Sequence, residues 1–313
     1  MLAFQTEASI DIEANIETVR AELTDFKSWP IWSPWLYVEP DSKVAFHGST
    51  GNVGAGNSWM GDKTGEGRIT LVKNEPERLE LDLDFIKPFK SHADVYFDLT
   101  AINEHKTHIN WGMNSSLPFF MFWMKNSMVA MIKSDYRRGL LLLKDHIELG
   151  KIPSTATFHE LSSVNEMPYV GLHGICAMDD IADTMKEQFS LLTQATASMK
   201  PTEMFTVCNR LDVKADSMDY TAAVGVGAVQ VGTVTKLESP LIRGKRAACK
   251  AIKVTHVGPY RHLANAWYMA ITEQRHGKYK LVSKAPAFEI YRNSPVDTDE
   301  NDLITEIYIP VAP

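Results

Sequence analysis

The chain has 313 residues and a formal net charge of −7, and 44% of its residues are hydrophobic. This length and composition predict a globular protein of about two domains, and the negative charge disfavours direct binding to nucleic acid, whose phosphates attract a basic surface. The three cysteines lie far apart in the sequence, which argues against a disulfide framework or a thiolate metal site.

Alternating apolar and polar residues predict β-strands throughout the first half of the chain. The alternation is clear at residues 8–13, 79–85, 94–99 and 107–111. Strands of this kind form an antiparallel sheet with one buried face and one solvated face. Glycines recur between residues 46 and 69 and predict hairpin turns there.

Two helical segments are predicted beside this sheet. Asn15 is a suitable N-cap for the first, which ends near Pro30. The second extends from about Phe119 to Leu149, just before Gly150. We expect the sheet to wrap around the long helix and to leave a hollow between them.

Tryptophan and methionine are concentrated in the same half. The segment SWPIWSPW, residues 28–35, contains three tryptophans, and five methionines lie between Met113 and Met131. Tryptophan buries a large apolar area, and methionine adapts to irregular spaces. Two interpretations are open, an ordinary core or an apolar cavity that holds a lipid-like molecule.

The segment GKIPSTATFHEL, residues 150–161, separates the two halves of the chain. It contains small and polar residues and a proline, and it has neither a helical nor a strand period. We therefore predict an interdomain linker at residues 151–160, between a first domain at 1–150 and a second domain at 161–313.

The second half contains an internal repeat. Residues 169–226 align with residues 252–309 without a gap, and both segments show the order strand, helix, strand, strand. Two such units side by side predict one sheet with both helices on one face. We expect the other face to form a groove across a pseudo-twofold axis.

Within the second repeat, the segment PAFEIYRNSP, residues 286–295, is predicted to be a strand. Phe288 and Ile290 are expected to face the helices, since that side needs apolar side chains. Glu289 and Tyr291 then face the groove. The alternative is that they belong to an ordinary solvated sheet face.

The final strand, TEIYIP, repeats this pattern and is expected to place Glu306 and Tyr308 in the groove as well. Tyr260, in the turn THVGPYRHL, is expected at the mouth of the groove. Trp267 lies on the apolar side of the following helix and is either a core residue or a part of the site. Carboxylates beside aromatic rings suit a lipophilic or cationic ligand.

Residues 1–150 resemble the START-like polyketide cyclase/dehydrase superfamily, often called SRPBCC. The resemblance rests on the segments IDIEANIETVRAELTDFKSWPIWSPW, GAGNSWMG, GEGRIT, THINWGM and LLLLKDHIE. It implies a helix-grip fold around a deep apolar cavity.

Residues 160–313 resemble the gyrase-inhibitor-like (GyrI-like) small-molecule-binding domain, also found as the effector-binding domain of some transcription activators. The segments THVGPYRHL, PAFEIYRNSP and LITEIYIPV carry this resemblance. It implies two fused strand-helix-strand-strand units with a ligand groove, and it implies a central position for Glu289. Tyr169 is expected to add to the groove wall. The overall fold class expected is therefore α+β, a helix-grip domain followed by a duplicated βαββ domain.

These observations favour a binder of small lipophilic compounds, cationic ones included, that acts as a sensor, carrier or sequestering protein. The predicted ligand-binding residues are Glu289, Tyr291, Tyr260, Trp267, Glu306, Tyr308 and Tyr169. The alternative is a hydrolase or cyclase of such compounds, with Glu289 as the general base. No cofactor or metal site is predicted, and direct binding to nucleic acid is not expected, whereas a protein partner is compatible with the acidic surface. No apolar run reaches the ~18 residues of a membrane span, so we expect a cytoplasmic location.

Overall fold

The computed structural model describes residues 1–212, 214–227, 239–277, 279–282 and 285–312. Two compact units, Met1–Pro153 and Ser154–Pro313, divide the chain. Each contains one antiparallel sheet. Within the described ranges, no helix combines the length and apolar character needed to cross a bilayer.

The first unit is a seven-stranded sheet in the order β1-β7-β6-β5-β4-β3-β2. The long helix α3 packs against β1 and β7. A short 3-10 helix, Phe119–Met124, precedes α3. The elements are β1 Leu2–Ile12, α1 Ile16–Thr24, α2 Trp29–Trp32, β2 Lys43–His47, β3 Gly56–Gly61, β4 Gly65–Asn74, β5 Arg78–Lys87, β6 Ser91–Asn103, β7 Lys106–Leu117 and α3 Lys125–Leu149.

The start of the first helix confirms the predicted cap, because the Asn15 side chain accepts a hydrogen bond from the Thr18 backbone N–H at 2.8 Å. The predicted second helix differs at its start, since residues 119–124 are 3-10 and the α-helix begins only at Lys125. Met121 has non-helical backbone angles at this point. The helix ends at Gly150, which adopts a left-handed conformation with φ of 68°.

The tryptophan cluster of the first unit is part of its core. Trp32 and Trp111 are fully or almost fully buried, and Trp111 stacks on Tyr136 of α3 with ring centroids 4.1 Å apart. Trp29 lies edge-on to Phe97 at 6.2 Å. These rings join the long helix to the sheet, so their large area is buried in packing of the unit.

The second unit is an eight-stranded sheet in the order β12-β9-β11-β10-β14-β15-β13-β8. Helix α4 packs on β9 and β11, and helix α5 packs on β13, β15 and β8. The elements are β8 Thr155–Val164, β9 Met167–Ala177, α4 Ile181–Thr196, β10 Glu203–Asp212, β11 Ser217–Gly225, β12 Ile242–Arg246, β13 Cys249–Val257, α5 Leu263–His276, β14 Ala287–Tyr291 and β15 Ile304–Pro310.

This unit contains the predicted duplication. The elements β9, α4, β10 and β11 recur in the same order as β13, α5, β14 and β15. The central strands β10 and β14 pair antiparallel, and Thr206 lies directly opposite Glu289. These two residues occupy equivalent positions in the aligned repeats, so the pseudo-twofold axis passes between them. The predicted α+β fold class is confirmed.

The predicted linker is in part a strand. Residues 155–160 belong to β8, which pairs with β13 at the edge of the second sheet. Sequence alternation does not show this strand because its pairing uses backbone groups, and many of its side chains are small or polar. An edge strand of this kind needs no regular apolar face.

The second sheet is strongly curved. Residues 165–166 alone connect β8, at one end of the strand order, to β9 near the other end. Residues 247–248 connect β12 to β13 across the same gap. These short connections bring the two ends of the sheet together. The concave face therefore encloses its own apolar cluster, while the helices cover the convex face.

Candidate functional site

Glu289 and Tyr291 of β14 lie on the face of the sheet that α4 and α5 cover. The indole Nε1–H of Trp267, on α5, donates a hydrogen bond to Glu289 Oε2 at 2.8 Å. The ring of Phe189, on α4, lies edge-on to the Tyr291 ring, with centroids 5.4 Å apart. The orientation of β14 is therefore opposite to the one expected from the sequence.

The concave face of β14 carries Phe288 and Ile290, which are buried in one cluster with Phe205 and Tyr308. The Arg246 guanidinium lies 4.7 Å from the ring centroids of both Phe205 and Phe288. The prediction that Phe288 and Ile290 face the helices is wrong because the curved sheet buries apolar side chains on both faces. Alternation distinguishes the two faces of a strand but not which of them a helix covers.

Glu306 and Tyr308 of β15 also lie on the concave face. The register places Tyr308 opposite Phe288 and Glu306 opposite Ile290. Both residues point away from the helices, as predicted, but they do not share a surface with Glu289. The predicted site is thereby divided between two faces.

Tyr169 belongs to the concave face as well, because its ring lies edge-on to Phe205 with centroids 5.5 Å apart. Three of the predicted residues, Tyr169, Glu306 and Tyr308, are therefore separated from the other four by the sheet. The remaining group is Glu289, Tyr291, Tyr260 and Trp267. Together with Thr206, Met185 and Phe189, which contact Tyr291, this group is called the Glu289 site.

Glu289 is almost fully buried, with 4% of its surface exposed. Its carboxylate accepts hydrogen bonds from Trp267 Nε1 and from the Tyr291 hydroxyl. Burial raises the pKa of Glu289 above its ordinary value, and the two hydrogen bonds offset only part of this effect. Within the described part of the chain, no lysine, arginine or histidine forms an ion pair with this carboxylate.

The Tyr291 hydroxyl lies between the Glu289 carboxylate, in the second repeat, and two side chains of the first repeat. It lies 2.9 Å from Thr206 Oγ1 and 3.7 Å from Met185 Sδ of α4. Burial, together with the neighbouring Glu289, raises the pKa of Tyr291 well above its ordinary value. The hydroxyl therefore stays protonated and donates its hydrogen bond to the carboxylate.

Tyr260 joins the buried group to the protein surface. Its ring lies 5.9 Å from that of Tyr291, and 37% of its surface is exposed. Burial of the hydroxyl and the nearby Glu289 raise the pKa of Tyr260 to about 12. Tyr260, which the sequence predicts at the mouth of a groove on the face away from the helices, thus lies instead at the exposed edge of the helix-covered face.

The α4 residues Met185 and Phe189 escaped the sequence-based site prediction. Their spacing identifies them as part of the apolar side of a helix, which is normally core. The signal available in the sequence is the repeat, because it places the first helix beside the same central strands as the second. Only the three-dimensional contacts show that α4 reaches across to Tyr291.

The first domain contains two further candidate sites. An open hollow of about 220 Å³ lies against β2, β3 and β4 of the first unit, and its lining includes Trp59 and Glu66. It does not lie between α3 and the sheet, where the sequence predicts a cavity, and Glu66 is already paired with Lys87 at 2.8 Å. Glu289 is buried and forms no ion pair with any described residue, which makes the Glu289 site the stronger candidate.

The second of these candidate sites is the group Asp82, His92 and Asp94, which offers possible metal-ligand atoms within 4.8 Å of one another. His92 and Asp94 are exposed, and both ring nitrogens of His92 already contact carboxylates, from Asp84 at 2.9 Å and from Asp94 at 3.3 Å. Solvent-exposed groups of this kind form readily without a metal, so we assign no metal role to them.

Each of the two units matches a known protein family. Residues 3–148 match the family described as polyketide cyclase/dehydrase and lipid transport, and residues 159–312 match the GyrI-like small molecule binding domain. The chain therefore joins a polyketide cyclase/dehydrase-type (SRPBCC-like) domain to a GyrI-like domain, which confirms the resemblance seen in the sequence motifs. A comparison with curated proteins finds no match.

Solved structures similar to this chain include EcmrR in its DNA complex, with 20% identity, a TM-score of 0.43, and coverage of 59% of this chain and 66% of that chain. The EcmrR C-terminal domain shows 21% identity and a TM-score of 0.41, and the match covers 51% of this chain and 99% of that domain. SAV2435 bound to tetraphenylphosphonium shows 17% identity and a TM-score of 0.37, and the match covers 50% of this chain and 94% of SAV2435. Similarity at this level carries no argument about ligands.

Proposed function

We propose that the second domain binds small lipophilic compounds, and lipophilic cations most tightly, at the Glu289 site. Membership in a family of small-molecule-binding domains supports binding in general. The choice of a cation rests on one observation, the buried Glu289 carboxylate that has hydrogen-bond donors but no cationic partner among the described residues. A buried carboxylate is stabilised by a positive charge placed beside it.

The neighbouring side chains suit such a ligand. Tyr291, Tyr260 and Phe189 present aromatic rings to one another around the carboxylate. Aromatic faces attract cations and bury apolar area, and the thioether of Met185 adapts to ligands of different shape. Tyr260 is partly exposed, and we infer that a change in its side-chain rotamer gives a ligand access from solvent to Glu289.

We assign the domain a role as sensor, carrier or sequestering protein for such compounds. The net charge of −7 disfavours direct contact with nucleic acid, so any regulatory effect would pass through a protein partner.

An enzymatic role is the second candidate, and the raised pKa of Glu289 favours it. A carboxylate with a raised pKa accepts a proton more readily, so Glu289 would act as general base on a water or a substrate proton in a hydrolase or cyclase. The hydroxyl of Tyr291 would hold the carboxylate in position.

The test compares tetraphenylphosphonium with triphenylphosphine oxide, a neutral compound of similar shape, by isothermal titration calorimetry. In Glu289→Gln, we expect the affinity for the cation to fall by a factor on the order of 10 to 100, because the charge pair is lost. The affinity for the neutral compound should change by less than about threefold. Glu306→Gln, on the other face of the sheet, is the matched control and should leave both affinities unchanged.

The pH dependence provides a second readout. The affinity of the wild-type protein for the cation should fall as the pH is lowered through the raised pKa of Glu289, whereas the affinity for the neutral compound should not. Equal loss of both ligands in Glu289→Gln would refute the role of the charge. Turnover of a lipophilic ester that Glu289→Gln abolishes, with binding retained, would establish the enzymatic candidate instead.

A further inference from the structure

The first domain exposes a group of large aromatic side chains at one end of its sheet. Phe119, Phe120, Phe122 and Trp123 of the 3-10 helix are between 62% and 75% exposed, and Phe89 in the β5–β6 turn is 76% exposed. These five residues are called the aromatic patch. Such exposure contrasts with the buried rings of the same domain, and a soluble surface rarely tolerates it without a partner.

Strand register places both parts of the patch at the same end of the sheet. Ala93 of β6 lies opposite Ser115 of β7, so β6 begins where β7 ends at Leu117. The β5–β6 turn, residues 88–90, therefore projects from the end where the 3-10 helix begins. Phe89 and the 3-10 helix extend the domain in the same direction.

Lysines accompany the patch along the chain, and the nearest acidic side chains of β5 and β6, Asp84 and Asp94, contact His92. No aspartate or glutamate occurs from Gly112 to Ser134, although the whole chain has 39 acidic residues and 32 lysines and arginines. This stretch contains Lys125 and Lys133, and the β5–β6 turn adds Lys90. An aromatic surface flanked by lysines, on a protein that is acidic elsewhere, matches an anionic surface with an apolar interior.

We propose that the aromatic patch docks the protein on anionic lipid membranes. Phenylalanine and tryptophan side chains insert between lipid headgroups, and adjacent lysines interact with negatively charged lipids. A six-residue 3-10 helix is far too short to span a bilayer, so it lies within the interface. The proposal does not depend on ligand binding at the Glu289 site.

The experiment measures co-sedimentation of the full chain with vesicles. Binding is compared between vesicles of phosphatidylcholine alone and vesicles of phosphatidylcholine mixed with phosphatidylglycerol. We expect stronger binding to the anionic vesicles and weaker binding when salt is added. Phe119→Ser combined with Trp123→Ser should lower the vesicle partition coefficient on the order of tenfold, because exposed apolar area is removed.

Matched variants separate the two contributions. Ile102 is 50% exposed near the end of β6, at the opposite end of the sheet, so Ile102→Ser should leave binding unchanged while Phe89→Ser lowers it. Lys90→Glu combined with Lys125→Glu should remove the preference for anionic vesicles. Since all these side chains are on the surface, the thermal unfolding midpoint should remain that of the wild type.

Three outcomes would overturn the proposal. The first is a lack of binding to either kind of vesicle, and the second is binding that the aromatic substitutions do not reduce. The third is a concentration-dependent dimer in the absence of lipid that the Phe119→Ser and Trp123→Ser substitutions abolish, since the patch would then be an interface with a second copy. Light scattering after size-exclusion chromatography distinguishes this last case.

Discussion

Glu289 and Glu306 lie on neighbouring strands of one sheet, yet their surroundings differ in kind. Glu306 forms ion pairs with Lys253 at 3.2 Å and with Arg292, and it accepts a hydrogen bond from Tyr308. Burial alone would raise its pKa, but these partners lower the pKa below its ordinary value. Among the residues that the structure describes, Glu289 has only neutral donors, and its pKa is raised.

The two faces of the sheet differ in how their buried charged side chains are paired. On the concave face, Arg246 pairs with Glu203 at 2.8 Å and lies 4.7 Å from the ring centroids of both Phe205 and Phe288. On the helix-covered face, the Glu289 carboxylate is buried without a cationic partner among the described residues. This contrast with the paired Glu306 is the reason for proposing the Glu289 site as the ligand site.

The largest expected effect concerns the concave core. Phe288→Ala should lower the free energy of unfolding by about 3–5 kcal/mol, because a fully buried ring is removed and leaves a cavity. Tyr260→Ala, at the partly exposed edge of the Glu289 site, should cost far less. Urea denaturation of the two variants measures both values, and similar losses would mean that the two faces do not differ as described.

The next effect concerns the paired acid. Glu306→Gln should lower the free energy of unfolding by about 1–3 kcal/mol at neutral pH, since Lys253 and Arg292 lose a charged acceptor. A lowered pKa means that Glu306 stabilises the fold above its unfolded pKa and that this contribution disappears as the pH falls through the folded pKa. The difference from the wild type should therefore shrink below about pH 4.5, which denaturation at a series of pH values will show.

A smaller effect is expected from Trp267→Phe, which removes one donor to Glu289 and keeps the aromatic ring. The pKa of Glu289 should rise further, because the hydrogen bond that favours the carboxylate is lost. At neutral pH, tetraphenylphosphonium should bind more weakly than to the wild type, by about 1 kcal/mol of binding free energy. The binding of the neutral triphenylphosphine oxide should not weaken. Calorimetry on both ligands tests this, and an equal weakening would assign Trp267 to packing alone.

The smallest effect has the opposite sign. Glu289→Gln in the absence of ligand should raise the free energy of unfolding at neutral pH by less than about 1 kcal/mol, because relief of the buried charge is partly offset by weaker hydrogen bonds. A raised pKa means that the wild type is penalised above the folded pKa and recovers as the pH falls toward the unfolded value. The gain should therefore vanish in acid. A loss of stability at neutral pH would show that Glu289 is already satisfied.

Local patterns in the sequence predicted much of this architecture. The N-cap at Asn15, the antiparallel strands of the first domain and the duplicated strand-helix-strand-strand order all follow from local chemistry and from self-similarity. The strand at Thr155–Val164 was not foreseen, since backbone pairing at a sheet edge leaves little trace in the side chains. The contact between Phe189 of α4 and Tyr291 is also not predictable from the spacing of residues in the sequence.

By itself, the sequence determined that Glu289 and Tyr291 share one face of a strand and that Phe288 and Ile290 share the other, because side chains alternate along an extended backbone. It also determined that the repeat has an acid at only one of two equivalent positions, with Thr206 at the other. Which of these faces the helices cover depends on the three-dimensional packing. Curvature of the sheet made the concave face a second core, so burial no longer distinguished the two faces, and the contacts of Trp267 and Phe189 alone place the unpaired carboxylate beneath the helices.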